Sequence, residues 1–170
     1  MSQIKIYSSG VVDKPFRELA MKRFGYGRGS ISKAAEEAIY RWVADISRIE
    51  ASLNKIVETA KGDDSVIAVI LFGSFAGKKA TFRDVDVGII ADKKYDSIKL
   101  YERYASIIGG NDMIDLSVIN DLPIDVQSSA LDNSEVLYSR DNDALYDYTI
   151  GIIKKSGGVK STIKEVLSTV

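Results

Sequence analysis

Residues 66–90 read VIAVILF GSFAGKKATFR DVDVGII. The first seven, Val66 to Phe72, are apolar without a break, the pattern of a strand buried on both faces. Gly73-Ser74 follow at once and read as a turn, and residues 75–83 form a small and polar connection. A second strand is expected over residues 84–90, with Asp84 and Asp86 at i and i+2. Strand periodicity puts both carboxylates on one face, within reach of a single cation. Bare, such a pair repels itself; a divalent ion resolves the repulsion. Residues 113–119 give another apolar strand with Asp115 near its start, and Asp112 competes with it as the third carboxylate. Three carboxylates beside a Gly-Ser turn make a site for magnesium and a nucleoside triphosphate. The Gly73 backbone lets a phosphate approach closely, and the Ser74 hydroxyl with neighbouring N–H groups can bind its oxygens.

The remainder of the 170-residue chain narrows the chemistry. It has no cysteine and no histidine, which removes disulfides, thiolate zinc sites, cysteine nucleophiles and every imidazole-dependent mechanism. A metal must therefore be held by oxygen, which favours hard cations. No run of about 18 apolar residues suggests a membrane span. The first residues lack the apolar core of a signal peptide, so a cytoplasmic protein is expected. Charge is uneven: residues 1–48 hold nine Lys/Arg and five Asp/Glu, whereas residues 49–170 hold fourteen and nineteen. A basic piece ahead of an acidic body suggests two modules with different partners.

Residues 3–7 alternate, with Ile4 and Ile6 on one face and Gln3, Lys5 and Tyr7 on the other, the pattern of a short strand. Asp13 is a candidate N-cap with Pro15 in the first turn, and Phe16, Leu19, Ala20 and Phe24 make a helical stripe that Gly25 stops. After a glycine-rich turn, Ser30 or Ser32 can cap a second helix carrying Ala35, Ala38, Ile39, Trp42 and Val43. The stripe continues through Ile46, Ile49, Leu53, Ile56, Val57 and Ala60, so either one long helix joins the modules or a break falls near Asp45-Ile46-Ser47. A strand, helix, turn and helix of this size bury their apolar faces poorly alone. The order resembles the ribbon-helix-helix fold. That resemblance implies a homodimer or higher even oligomer, operator DNA as a partner, Gln3, Lys5 and Tyr7 at base edges, and the start of the second helix at phosphate, with Arg28 and Lys33 nearby. The bland counterpart is a dimerisation or docking arm that never touches DNA.

Gly73-Ser74, then Asp84-x-Asp86, then Asp115 on a distant strand, resembles the DNA polymerase beta-like nucleotidyltransferase superfamily, above all its minimal, antitoxin-like members. Asn120-Asp121-Leu122-Pro123, a short helix, and Val136-Leu137-Tyr138-Ser139-Arg140-Asp141 extend the likeness over about residues 50–155. Two departures stand out. The family pattern Gly-Ser-x-Ala-(Arg/Lys)-Gly has its last two positions exchanged in Gly77-Lys78, and Arg83 replaces the Ser that usually precedes the first Asp. The resemblance implies an α+β fold, a small mixed β-sheet flanked by helices, over residues 47–170, preceded by the β-α-α segment of residues 1–46. It implies Asp84, Asp86 and Asp115 as catalytic residues and Mg2+ ligands, and Gly73, Ser74 and Lys78 as contacts to ATP or another nucleoside triphosphate. The activity implied is transfer of a nucleoside monophosphate, AMP foremost, to a hydroxyl. Relatives of this kind accompany a HEPN-type toxin partner as antitoxins, and a DNA-binding arm suits that role. The rival reading is a transcriptional regulator whose nucleotidyltransferase fold is catalytically silent; an enzyme acting on a small molecule such as an aminoglycoside is a second. Tyr101, Tyr104, Tyr146 and Tyr148 are expected as core or interface aromatics, and residues 157–170 as a terminal helix.

Overall fold

The computed structural model describes residue 5 and residues 7–78, 82–132 and 134–157. The chain divides into two compact units, Met1–Ser47 and Arg48–Val170.

In the first unit, α1 spans Gly10–Phe24 and α2 begins at Ser30. The strand expected over residues 3–7 falls largely outside the described residues. Of its members, Lys5 and Tyr7 are described; both are exposed and outside any strand, with the Lys5 ammonium 5.3 Å from the Tyr7 ring centroid. Two expected caps are corrected. Helix α1 starts a turn earlier than Asp13, at Ser9, whose carbonyl accepts from the N–H groups of Val12 and Asp13. Asp13 instead accepts from Arg17 one turn on, at 2.8 Å. Ser30 does not cap α2 through its side chain: its hydroxyl donates back to the carbonyls of Gly25 and Gly27, at 2.5 and 2.9 Å, and closes the glycine turn. The Gly29 carbonyl accepts from the Lys33 N–H and opens the helix. Gly25 stops α1 at φ +86°, a backbone region open to glycine. Arg23 bridges the two helices through Glu37, which also holds Arg41.

Helix α2 runs Ser30–Lys61, 32 residues, unbroken through Asp45-Ile46-Ser47. Its apolar stripe has no interrupting Gly or Pro until Gly62.

The second unit is built on a four-stranded sheet: β1 Val66–Phe72, β2 Val85–Ala91, β3 Ile114–Val118 and β4 Glu135–Ser139, in the order β3-β2-β1-β4. Strand β1 is antiparallel to both neighbours, and β2 is parallel to β3. This is the small mixed β-sheet flanked by helices, of α+β class, that the sequence leads one to expect. The apolar run of β1 takes the centre because both its faces are covered. One face packs Ala68, Ile70 and Ile90 against Ile119, Ala130, Leu131, Leu145 and Ile152, residues of a short 3-10 turn, of α5 (Ile124–Asp132) and of α6 (Asn142–Ser156). Val69, Leu71, Val87 and Ile89 alternate to the other face and are fully or almost fully buried. Gly88 is a packing requirement: a Cβ there would lie 2.6 Å from Ile119 Cδ1 and 2.9 Å from Ile70 Cγ1. The Asn120 side chain mimics a strand, accepting from the Ala91 N–H at 2.8 Å and donating to its carbonyl at 3.1 Å.

Helix α4, Ser97–Ile108, is tied to the turn after α2 by a buried carboxylate. Asp63 accepts from the Ser65 N–H and hydroxyl, from Arg103 at 2.5 Å, and from the hydroxyl of fully buried Tyr104 at 3.3 Å. Burial pushes its carboxyl up, but the Ser65 and Arg103 hydrogen bonds outweigh that and hold it below its ordinary value. A carboxyl depressed on folding stabilises fully above its unfolded pKa and loses that contribution as pH falls through its folded one. Asp63→Ala is therefore expected to lower the unfolding free energy by about 2 kcal/mol at neutral pH, after discounting for the half-exposed Arg103. The difference from wild type should shrink below about pH 4, which urea unfolding across pH measures. Tyr101 and Tyr146 are substantially exposed, unlike Tyr104, and Tyr148 is half-buried. The terminal helix expected over residues 157–170 lies outside the described residues beyond Gly157, which ends α6 at φ +68°. Among the described residues no helix is long and apolar enough to cross a membrane.

Candidate active site

The sheet's hydrogen-bond register sets two of the three carboxylates side by side. Asp86 is the second residue of β2, opposite Phe72 at the end of β1 and beside Asp115 on β3. The strand that sequence alone puts at residues 84–90 begins one residue later, so Asp84 stands just ahead of β2, where the Val85 N–H donates to the Met113 carbonyl. Register also separates the two competing acids. Asp115 pairs with Asp86 across the parallel ladder, whereas Asp112 is exposed ahead of β3.

The fields of all three groups meet at Asp86. Burial pushes its carboxyl above the ordinary carboxylate value, and the charges of Asp84 and Asp115 push it further. Asp84 is held by Arg83, whose Nε and Nη2 donate to one of its oxygens at 3.2 and 3.1 Å. Among the described residues no three acidic groups stand close enough to form a finished metal cluster. Arg83 holds Asp84 on its own side of the strand start. The donor set nevertheless fits a hard divalent ion: oxygen ligands alone, and one carboxyl whose charge the fold leaves under-compensated.

The Gly-Ser pair is not a simple turn. Gly73–Ala76 form α3, one turn of helix that begins at the residue after the end of β1. Gly73 has φ +72°, and a Cβ there would lie 2.0 Å from Asp86 Oδ2. The missing side chain is the space the Asp86 carboxylate occupies. Ser74, Phe82, Arg83 and Asp84 line an open cleft of about 450 Å³ on this edge. Phe75 and Phe82 meet edge to face, with centroids 4.8 Å apart. Lys78 follows α3 at φ +50°, a left-handed conformation in a non-glycine residue, and is exposed. The exchange of Gly77 and Lys78 thus puts the lysine where the family's order has its glycine. The Gln3 of the expected DNA-reading face lies outside the described residues.

A family model described as polymerase beta, nucleotidyltransferase, matches residues 54–143. A search of curated proteins returns no match. Among solved structures, the fold is similar to a mutant form of the MntA–HepT toxin–antitoxin pair, with a TM-score of 0.51 and 13% identity over 69% of this chain and 96% of that one. A toxin–antitoxin with AMP-PNP gives 0.48 at 16% identity, covering 69% and 96%. An MNT antitoxin complexed with the tri-AMPylated HEPN toxin of Shewanella oneidensis gives 0.47 at 15%, covering 71% and 96%.

Proposed function

The chain belongs to the polymerase beta nucleotidyltransferase family, and from that membership we propose that it transfers a nucleoside monophosphate, AMP from ATP foremost, to a hydroxyl. The observation that supports the reading best is the pairing of Asp86 with Asp115 beside Asp84, at the edge where Gly73 and Ser74 begin α3. In this reading the hydroxyl attacks the α-phosphorus and pyrophosphate leaves. Asp84, Asp86 and Asp115 would hold magnesium, which would supply positive charge to the triphosphate and lower the pKa of the attacking hydroxyl. Gly73 and Ser74 bind the outer phosphates through backbone N–H groups and the serine hydroxyl, and Lys78 adds an ammonium. Asp115, the exposed acid, takes the acceptor's proton; the chain has no histidine to do so.

The acceptor in this proposal is a hydroxyl of a HEPN-type protein partner, the class seen with the MNT antitoxin of similar fold. Residues 47–170 form the enzyme, and residues 1–46 serve as an even-numbered oligomerisation arm that presents Lys5 and Tyr7, with Gln3, to operator DNA. Supporting the arm, Leu19, Trp42 and Val43 leave their side chains exposed on this unit, an apolar surface that a second copy would cover.

Titration calorimetry with magnesium and AMP-PNP, on wild type and on Asp84→Ala/Asp86→Ala, tests the enzyme reading. Binding that requires magnesium and disappears in the variant is expected. A wild type that binds no nucleotide would turn the assignment to the silent regulator.

Lys78 offers a test with two opposing readouts. Lys78→Gly relieves a left-handed non-glycine residue and should raise unfolding free energy by about 1 kcal/mol. It also removes an ammonium from the phosphates, and AMP-PNP affinity should fall about tenfold. Thermal unfolding and calorimetry on one preparation give both numbers.

A further inference from the structure

The second unit holds another cavity, at the end of the sheet away from the carboxylates. It is about 470 Å³ and lies between one face of α6 and the segment that follows β2. Asp86 and Ala91 are the two ends of the relevant stretch of β2, so about 17 Å of strand separates the carboxylates from this cavity. A volume of this size is within the range of small-molecule sites.

Its walls are largely apolar, and four charged side chains stand among them. Ile67 and Ile152 contribute aliphatic surface, and Tyr148 contributes a ring. The Tyr148 hydroxyl is already spent, donating to Gln127 Oε1 at 2.7 Å, so the ring is fixed. Asn120 is likewise spent on Ala91. Gly151 sits inside α6, and a Cβ there would meet nothing within 4 Å. The helix therefore presents a flat floor where any side chain would intrude on the cavity. Two lysines, Lys93 and Lys155, line the space, and neither has an ion-pair partner among the described residues. Of the two acids that line it, Asp92 is bound by Arg140 at 2.9 Å, and Asp147 has no ion-pair partner among the described residues. The ammonium groups are in excess over free carboxylate.

We propose that this cavity is a second binding site, for a small aromatic anion whose ring lies along Gly151 and Tyr148 and whose anionic group meets Lys93 and Lys155. Flat aromatic bodies fit a floor without a side chain beside a fixed phenol ring. Paired ammonium groups next to apolar walls select a carboxylate, sulfonate or phosphate on such a body. Two sources share this chemistry, a nucleoside monophosphate and an aromatic acid without ribose. The assignment stands independently of the nucleotidyl-transfer reading, because none of its residues belongs to the carboxylate site.

The test uses the full chain, isotopically labelled, titrated separately with AMP and with 2-naphthoate in the absence of divalent metal. Amide shifts should concentrate on Tyr148, Gly151, Ile152 and Ala91. A response to AMP alone identifies a nucleotide site, and a response to naphthoate identifies an aromatic-acid site. Gly151→Leu points into the cavity from a helix position where a Cβ meets nothing within 4 Å, and should weaken the responding probe at least tenfold while thermal unfolding stays cooperative. Lys93→Ala/Lys155→Ala should weaken it severalfold and remove its dependence on salt. No shift on these amides with either probe, or unchanged affinity in Gly151→Leu, overturns the proposal. Because Asp84→Ala/Asp86→Ala leaves this site intact, loss of nucleotide binding at the carboxylates and loss of binding here are separate results.

Discussion

Asp86→Asn is expected to lower pyrophosphate release from ATP, with water or an added hydroxyl as acceptor, by about 10³-fold or more. The expectation rests on position. Asp86 is the one acid that faces both of the others, paired with Asp115 across the ladder and coupled to Asp84 two residues back. Asparagine keeps the shape but offers a neutral amide where the proposed cation needs charge. The same substitution should leave folding intact or slightly improve it. A carboxyl whose pKa is raised on folding destabilises the native state when ionised at neutral pH. Asp86→Asn removes that burden, so loss of turnover with an undiminished melting temperature is the signature. If turnover survives, the metal-ligand role of Asp86 fails.

Gly73→Ala should damage both activity and stability. Two effects add at this residue. Its φ of +72° is strained for any side chain, and the new Cβ would stand 2.0 Å from the Asp86 carboxylate. The backbone cannot yield easily, because β1 runs directly into α3 there. A loss of about 2–3 kcal/mol in unfolding free energy is expected. Displacing Asp86 by about an ångström should also lower turnover about 10²-fold. The two residues must be energetically coupled. In an Asp86→Ala background the clash is gone, and Gly73→Ala should then cost about 1–2 kcal/mol, the backbone strain alone. Additive losses in that double-mutant cycle would refute the packing argument.

The sequence reads clearly where local pattern decides structure. The apolar run of β1 needs no context, whereas the Asp-x-Asp spacing puts only Asp86 inside the strand and leaves Asp84 just ahead of it. Pairing partners are another matter. Asp112 and Asp115 are both near a strand start, and the parallel register of β2 with β3 separates them. The cap at Asp13 and the side-chain cap at Ser30 fail for a related reason: a polar side chain near a helix start has several partners available, and Arg17 and the glycine-turn carbonyls win. No local pattern shows that Asp63 anchors α4 through Arg103, 40 positions away. No spacing rule shows that Lys78 adopts a left-handed backbone, or that Asn120 completes the end of β2.

The arrangement of β1 also sets an order of events during synthesis. Strand β1 is the most apolar of the four, and its two partners reach it at different times. Strand β2 follows α3 after the connection of residues 77–84, but β4 pairs Ala68 with Ser139, and the Arg140 N–H then donates to the Ile67 carbonyl. Until residues 135–140 leave the ribosome, one edge of the stickiest strand is open to other chains. This non-local pairing slows folding and exposes the nascent chain to aggregation. A nonsense mutation just before β4 therefore yields an aggregating fragment, even though every carboxylate of the candidate active site lies upstream of it.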